Sequence, residues 1–511
     1  MYTALLLVLW NAKQCVFNCK LFSIQYHLFM QQTTWNFDNS YTKLPSDFFE
    51  FQRPTPVQQP KILLLNKSLI HDLGIDYLLE DNETTALHLS GNIIPSNAEP
   101  IAQAYAGHQF GYFNMLGDGR AILLGEHVTA KNKRFDIQLK GSGQTPFSRR
   151  GDGRATLRSM LREYLISEAM FYLRIPTSRS LAVIGTDDVV YREQLHKGAI
   201  LTRVMSSHIR VGTFEFAKQF CSVEDCRIFT NYVINRHYPE LANAENPVLE
   251  FLKTVVKKQT DLVLNWMRVG FIHGVMNTDN TSIAAETFDY GPCAFMNVFN
   301  PKTVFSSIDI HGRYAFQNQP AIIKWNMHIL ADTLMPLIHD STTEATELVQ
   351  QVMNDFDVYY VDQWYKMMFA KIGLEDGDEN DKPLVNELLH WMYTNKADYT
   401  NTFFSLRNEA LEADSNWQPD GLTDWLTKWK NRITEKDITA AKQLMQQNNP
   451  CYIARNHLVE EALDNAVNGN FSEFNQLLQI LQQPYQLQQV DERFQYYSPT
   501  FDNTYKTFCG T

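Results

Sequence analysis

Cysteine is sparse in this chain. Cys15, Cys19, Cys221, Cys226, Cys293, Cys451 and Cys509 are the only ones in 511 residues. Cys15 and Cys19 have no second Cys/His pair at zinc-finger spacing. A disulfide framework or structural zinc is therefore not indicated, and a reducing compartment, the cytoplasm, fits best. Positive charge is also short: 45 Lys and Arg against 57 Asp and Glu, for a net charge of −12. That excludes a general nucleic-acid binder, which needs a basic surface, while leaving room for a local basic nucleotide pocket. Long apolar runs are missing as well. No stretch reaches the roughly 18 residues of a transmembrane helix, so no membrane partner is expected. The run Ala4 to Trp10 is too short to span, and Met1-Tyr2-Thr3 brings no positive charge before it, which argues against a signal peptide. Residues 1–29 read as an extension outside the fold, with translation starting at Met30. A targeting segment is the competing reading.

What is present is ordinary globular material. Hydrophobic residues make up 44% and charged residues 20%, and a chain this long calls for two or three packed lobes. Residues 30–100 mix aromatic turns with an amphipathic piece, Asn66 to Leu79. Short β-like runs follow, Ala121 to Leu124 and Phe135 to Leu139, among Gly-rich turns. Leu157, Leu161, Tyr164, Leu165 and Ala169 then share one face of a helix over 156–173. Ser180 to Ile184 and Ala199 to Val204 read as further strands. Residues 228–276 read as helices leading to His273, then a loop, then a hairpin-like stretch around Ile283 to Phe288. From about 320 the pattern is helical; Trp325, Ile329, Leu330, Leu334 and Leu337 share a face, as do Leu458, Val459, Ala462, Leu463 and Ala466. The acidic stretch Glu375 to Asp381 lacks the glycine and final glutamate of a calcium loop and reads as solvated. Strands with one helix, followed by a helical half, predict an α+β, two-lobed, protein-kinase-like fold. Its divisions are an N-lobe at 30–215, a C-lobe at 216–340 and a helical C-terminal region at 341–511.

The candidate chemistry sits in four places. Gly117-Asp118-Gly119-Arg120 precedes a strand, and glycines let backbone approach a phosphate, although a tight hairpin turn explains them equally well. The same tetrapeptide recurs at 151–154. Lys140 ends the strand Phe135 to Leu139, and Glu163 lies within the next helix; a strand lysine paired with a helix glutamate is how kinases hold nucleotide phosphates. In His273-Gly274-Val275-Met276-Asn277-Thr278-Asp279-Asn280, Asn280 stands five residues after Val275, as the metal-binding Asn of a kinase loop stands after its base Asp. Asp289-Tyr290-Gly291 then matches the Asp-Phe-Gly metal element. Asn280 and Asp289 offer the oxygens that Mg²⁺ or Mn²⁺ takes. Val275 cannot accept a proton, so ordinary hydroxyl activation is lost at that place, and Asp279 is the candidate base from a shifted one. Arg149, Arg150, Arg154, Arg158, Arg162, Arg203 and Arg210 are candidate phosphate forks. Arg154, Arg158 and Arg162 share a helical face, a stripe more often solvated or salt-bridged.

At these residues the sequence resembles the selenoprotein O (YdiU) family of pseudokinase-fold protein adenylyltransferases. The resembling stretches are Tyr105-Ala106-Gly107-His108-Gln109-Phe110-Gly111, Leu116 to Arg120, Leu139 to Gly143, Phe147 to Gly153, and His273 to Asn280 with Asp289-Tyr290-Gly291. The resemblance runs from about residue 35 to the C-terminus. It implies transfer of AMP from ATP, or UMP from UTP, to Ser, Thr or Tyr hydroxyls of proteins. It also implies an ATP flipped relative to kinases, with the α-phosphorus in line for attack. By resemblance Gly117, Gly119, Arg120, Lys140, Asp152, Gly153, Arg203, Arg210 and Asp289 line the nucleotide. Glu163 pairs with Lys140, Asp279 accepts the proton, and Asn280 and Asp289 hold the metal. The flip also gives a reason for Asp118 and Asp152, which need not face the triphosphate. Cys509 fits the cysteine or selenocysteine near the end of many members. In some of these it pairs with a cysteine in the loop after the Asp-Phe-Gly-like element, where Phe305 stands here; Cys293 is nearby but out of pattern. A true phosphotransferase and a non-catalytic nucleotide-binding module are the alternatives. Val275 argues against the first, and two metal ligands argue against the second.

Overall fold

The structure is a computed structural model that describes residues 35–411, 417–434, 437–502 and 504–508. Residues 1–29, Met30 and Cys509, which carry the expectations about the start site and the terminal thiol, lie outside the described residues. The strands in the first part are β1 (Phe49–Phe51), β2 (Lys61–Leu65), β3 (Ile101–Gln103), β4 (Ala106–Gln109), β5 (Tyr112–Met115), β6 (Ala121–Val128), β7 (Arg134–Lys140), β8 (Ala155–Thr156), β9 (Arg179–Tyr191) and β10 (Leu195–Met205). Seven of them form one antiparallel sheet in the order β1-β3-β6-β7-β10-β9-β2, with β8 added on β10. β4 and β5 pair only with each other.

Both faces of the sheet are covered, which is why its strands read as apolar runs rather than clean alternations. On one face lie α1 (Lys67–Leu73) and α2 (Asn82–Leu89). Leu69, Ile70 and Leu73 of α1 cluster there with Ile137, Leu139, Ile184 and Ile200. On the other face lies α3 (Leu157–Tyr172), whose Leu161, Leu165 and Ala169 join Val183 and Leu201. Each fully buried Leu of this kind contributes roughly 2 kcal/mol. α3 begins where the Thr156 hydroxyl accepts from the Ser159 amide at 3.3 Å, an N-cap worth about 1 kcal/mol. The Asn66 side chain caps α1 through the Leu69 amide at 3.1 Å, and Gly74 closes it at φ +71°.

The rest of the chain is helical. α4 (Val211–Phe220), α5 (Val223–His237) and α6 (Pro247–Arg268) lead to a short ladder, β11 (Phe271–Ile272) with β12 (Ala294–Phe295). α7 (Gln319–Ile338) and α8 (Thr342–Lys371) pack on α6. Then come α9 (Lys382–Thr394), α10 (Tyr399–Asn408), α11 (Thr423–Thr434), α12 (Ile438–Asn448), α13 (Asn456–Val467) and α14 (Ser472–Leu481). The mixed α+β class read from the sequence holds. The predicted hairpin at Ile283 to Phe288 does not form. That segment is loop, with isolated bridges from Ser282 to Arg210 and from Thr287 to Thr177. Ile283 and Phe288 are apolar because each is buried on its own, not because they alternate along a strand.

The segment before Phe508 lies against the loop that follows Asp289. The Thr507 amide donates to the Phe305 carbonyl at 2.9 Å, and the Ser307 amide donates to the Thr507 carbonyl at 2.9 Å. The Thr507 hydroxyl donates to the Pro292 carbonyl at 2.7 Å. Phe305 thus sits beside the tail through backbone hydrogen bonds.

Candidate functional site

The β11–β12 ladder holds both ends of one loop, residues 273–293, and that loop carries Asp279, Asn280 and Asp289. Its far side meets the end of β7 and the middle of α3. There Lys140 Nζ donates to Glu163 Oε2 at 2.7 Å and is also paired with Asp289 Oδ1. Arg203, on β10 opposite Gln138 of β7, donates through Nε to Glu163 Oε1 at 2.7 Å and through Nη2 to Asp289 Oδ1 at 3.2 Å. Two cations and two carboxylates thus form one closed group. Burial raises the Asp289 carboxyl, and Lys140, Arg203 and Arg120 outweigh that and hold it well below the usual range. Burial likewise opposes ionisation of Glu163, while Arg203 and Lys140 hold its carboxyl low. Asp289 sits at φ +66°, a left-handed conformation costing on the order of 1–2 kcal/mol for a non-glycine residue. The ion pairs keep it there.

Asp279 and Asn280 form a short 3-10 turn with Thr278. Asn280 Nδ2 donates to the Val275 carbonyl at 3.1 Å, which leaves its Oδ1 unbonded among the described residues. Among the described residues Asp279 Oδ1 is buried and has no hydrogen-bond partner, and its Oδ2 accepts only from Gln109 Nε2 at 3.4 Å. Burial pushes this carboxyl up to about 6, with Arg210 pulling the other way. Arg210 also holds the turn itself, donating to the Asp279 carbonyl at 3.1 Å. His273 is buried against the Phe288 carbonyl at 3.1 Å, a structural position. Val275 is buried and carries no ionisable group.

The glycine loops have packing reasons of their own. A Cβ on Gly117 would lie 2.3 Å from the Phe147 ring, and one on Gly119 would lie 2.9 Å from the Phe147 carbonyl. Asp118 turns inward, 3.7 Å from Arg210 and 3.3 Å from the Gln138 amide; burial pushes it up to about 6. Arg120 is different. It is half-buried, it lowers Asp289, and its guanidinium has no partner among the described residues. Asp152 is paired with Arg192 at 2.8 Å. Gly153 is at φ +68°, where a Cβ would strike the Gly143 carbonyl at 2.1 Å. These two belong to the loop that leaves Lys140, and among the described residues no hydrogen bond or ion pair joins them to the Lys140–Asp289 group. Arg158 and Arg162 of the arginine stripe are bound to Glu460 of α13, and Arg154 to Asp188 at 3.4 Å. They brace the fold.

The oxygens left over are Asp289 Oδ2, Asn280 Oδ1 and Asp279 Oδ1. Asp289 and Asn280 fit a hard divalent cation that brings phosphate and water oxygens with it. No three His, Cys, Asp or Glu converge as a metal cage among the described residues. Sequence reasoning missed the contribution of β4. The His108 amide donates to Thr278 Oγ1 at 2.7 Å and the Phe110 amide to Asn277 Oδ1 at 3.1 Å. A Cβ on Gly107 would lie 2.9 Å from the Asp279 side chain. Tyr105, whose ring lies 4.0 Å under the Arg210 guanidinium, was also missed. The stretch from Tyr105 to Gly111 stood out only as a resemblance, since no hydrophobic period marks it.

The family described as protein adenylyltransferase SelO matches residues 31–482. A protein nucleotidyltransferase YdiU of Pelagibacter ubique (strain HTCC1062) is 51% identical over 479 residues, covering 93% of this chain and 99% of that protein. The protein so described in Anoxybacillus flavithermus (strain DSM 21510 / WK1) is 52% identical over 480 residues, again 93% and 99%. That of Brevibacillus brevis (strain 47 / JCM 6285 / NBRC 100599) is 50% identical over 482 residues, 93% and 98%. The matched span takes in the sheet, the loop that holds Asp279, Asn280 and Asp289, and the helices through α14, and the chain belongs to the SelO family of protein adenylyltransferases.

Proposed function

We propose that this chain transfers AMP from ATP to Ser, Thr or Tyr hydroxyls of other proteins, with UTP as a second possible donor of UMP. The reading includes a two-lobed, kinase-like arrangement: an N-lobe at 30–215, a C-lobe at 216–340 and a helical region at 341–511. The Lys140–Glu163 pair between strand and helix supports it, as does the order of the loop from His273 to Gly291. A cytoplasmic location is part of the same reading, supported by the sparse cysteines. Among the described residues no helix is long and apolar enough to cross a membrane.

The observation that carries the chemistry is the contrast between Val275 and Asp279. Val275 stands where a kinase keeps its base, and Asp279 presents a buried oxygen with no partner. In the proposed reaction the acceptor hydroxyl oxygen bonds to the α-phosphorus, the bond from that phosphorus to the β-phosphate bridge breaks, and pyrophosphate leaves. Asp279 Oδ1 takes the hydroxyl proton. With its carboxyl at about 6, it is ionised at neutral pH yet basic enough to help. Arg120 and the remaining Lys140 donor take phosphate oxygens. Arg203 and Glu163 keep Lys140 and Asp289 in place, and Arg210 fixes the Asp279 turn. Gly117, Gly119, Asp152 and Gly153 form the nucleotide's walls. Asn280 and Asp289 would hold Mg²⁺ or Mn²⁺, which neutralises triphosphate charge when bound.

ATP labelled at the α- or the γ-phosphate, incubated with the protein, Mg²⁺ or Mn²⁺ and total cell protein, tests this. Label passes to protein only from the α position. Transfer only from γ would sink the proposal and favour a phosphotransferase.

A further inference from the structure

The hairpin β4–β5 stands apart from the main sheet, and its two edges differ. The Leu116 amide bonds to the Tyr105 carbonyl at 3.1 Å, and the register pairs Gly107 with Asn114 and His108 with Phe113. In an antiparallel pair hydrogen-bonded and non-bonded positions alternate. The backbone groups of His108 therefore point away from β5, and those of Phe113 and Met115 point away from β4. The outer edge of β4 is taken by Thr278 of the loop that holds Asp279, and Asn277 of the same loop takes the amide of Phe110 in the hairpin turn. The outer edge of β5 pairs with no strand among the described residues.

That free edge is also apolar and exposed. Tyr112 is 78% exposed, Phe113 41% and Met115 42%. An exposed strand edge is a template for another chain, and proteins ordinarily blunt it with charge, proline or a cover. Tyr112 to Met115 carries neither charge nor proline. Cross-strand partners share a face. Gly107 and Gln109 face Asp279, so Asn114 and Tyr112 flank it on the same face. The β5 edge lies two strand spacings from the one Asp279 approaches, about 10 Å.

We propose that the outer edge of β5 docks the acceptor protein, as an extended segment that adds a strand beside Phe113 and Met115 and packs on the exposed Tyr112 and Phe113 rings. The occupant follows from position: this edge is continuous, through β4, with the residues around Asp279, and a protein nucleotidyltransferase must bring a second polypeptide there. Main-chain hydrogen bonds carry most of such binding, so sequence selectivity is low. The hydroxyl-bearing residue lies at the end of the paired run, where the segment turns toward Asp279. This rests on the transferase reading above.

The test compares wild type, Phe113→Pro and the double variant Tyr112→Ser/Phe113→Ser. Phe113→Pro removes an amide that faces away from β4. The readouts are affinity for a fluorescent ATP analogue and the kinetics of α-label transfer to casein, an unfolded protein rich in hydroxyls. Both variants bind the analogue within twofold of wild type, and KM for casein rises at least tenfold with kcat within twofold. Unchanged KM, or a loss confined to kcat, overturns the docking edge. A wild type that labels cell protein but not casein overturns docking of an extended segment at low selectivity. A wild type that labels neither overturns the transferase reading itself.

Discussion

At the scale of single residues, charge balance and solvent exclusion do most of the work. Asp289 combines a strained backbone, two cationic partners and one spare oxygen, so Asp289→Ala should lower transfer at least about a hundredfold, measured with α-labelled ATP. Unchanged activity would refute its assignment. Asp279→Ala should cut the rate about 10²–10⁴-fold with ATP affinity retained, the range of general-base contributions; a mild effect would mean that proton removal matters little. Glu286 bears on stability rather than chemistry. Burial pushes its carboxyl up to about 7 from an ordinary 4.5, although Ser206 donates to it. The folded state therefore binds the proton more tightly than the unfolded chain, and Glu286 costs stability as pH rises from about 4.5 through 7. Glu286→Gln should raise the melting temperature at pH 8.5 by about 2–4 °C and change nothing at pH 4.5. An equal shift at both would refute the titration. Lys140, Glu163, Asn280 and Asp289 were legible because their spacings along the chain reflect one strand, one helix and one loop. The inward turn of Asp118 and the pairing of Asp152 with Arg192 were not, since both depend on partners distant in sequence.

Among elements, the loop that carries Asp279 is braced by the β4–β5 hairpin. Thr278 and Asp279 bond to β4 and Asn277 to the turn residue Phe110, and Gly107 leaves just enough space for the Asp279 side chain. Gly107→Ala would put a methyl group 2.9 Å from Asp279 Oδ1. It should lower kcat at least about tenfold while ATP affinity holds, because a small displacement of a reacting group is costly; steady-state kinetics beside equilibrium ATP binding checks this. The longer elements were readable from the sequence. α3 and α13 fill the helical faces expected of them, and β6, β7, β9 and β10 contain the predicted runs; α7 forms, but of its expected face only Leu330 and Leu334 are fully buried, with Trp325, Ile329 and Leu337 half-buried. β4 and β5 were not readable: four residues each, Ala-Gly-His-Gln and Tyr-Phe-Asn-Met, are too short to give a period to count. The expected hairpin at Ile283 to Phe288 failed for the opposite reason, as buried side chains in a loop mimicked the alternation of a strand.

At the scale of the whole molecule, the sheet and the helical half share apolar packing. A single apolar core runs from Tyr41 through Met160, Trp266 and Leu334 to Phe494. Arg268 of α6 donates to the Leu173 carbonyl at 2.9 Å, just past α3. Calorimetry should therefore show one unfolding transition for the sheet and the helices together; two well-separated transitions would overturn that. The sequence pointed to several lobes because of its length; the packing shared along the chain rests on contacts hundreds of residues apart, which local spacing does not reveal. The strand of chain at Thr507 has its own consequence for the order of events during synthesis. Its hydroxyl closes on Pro292, a residue made 215 positions earlier. A growing chain thus carries Lys140, Asp279 and Asp289 long before the segment that fastens the loop beside them exists. The hydrogen bond from Thr507 to Pro292 can therefore form only after everything else around it has been made.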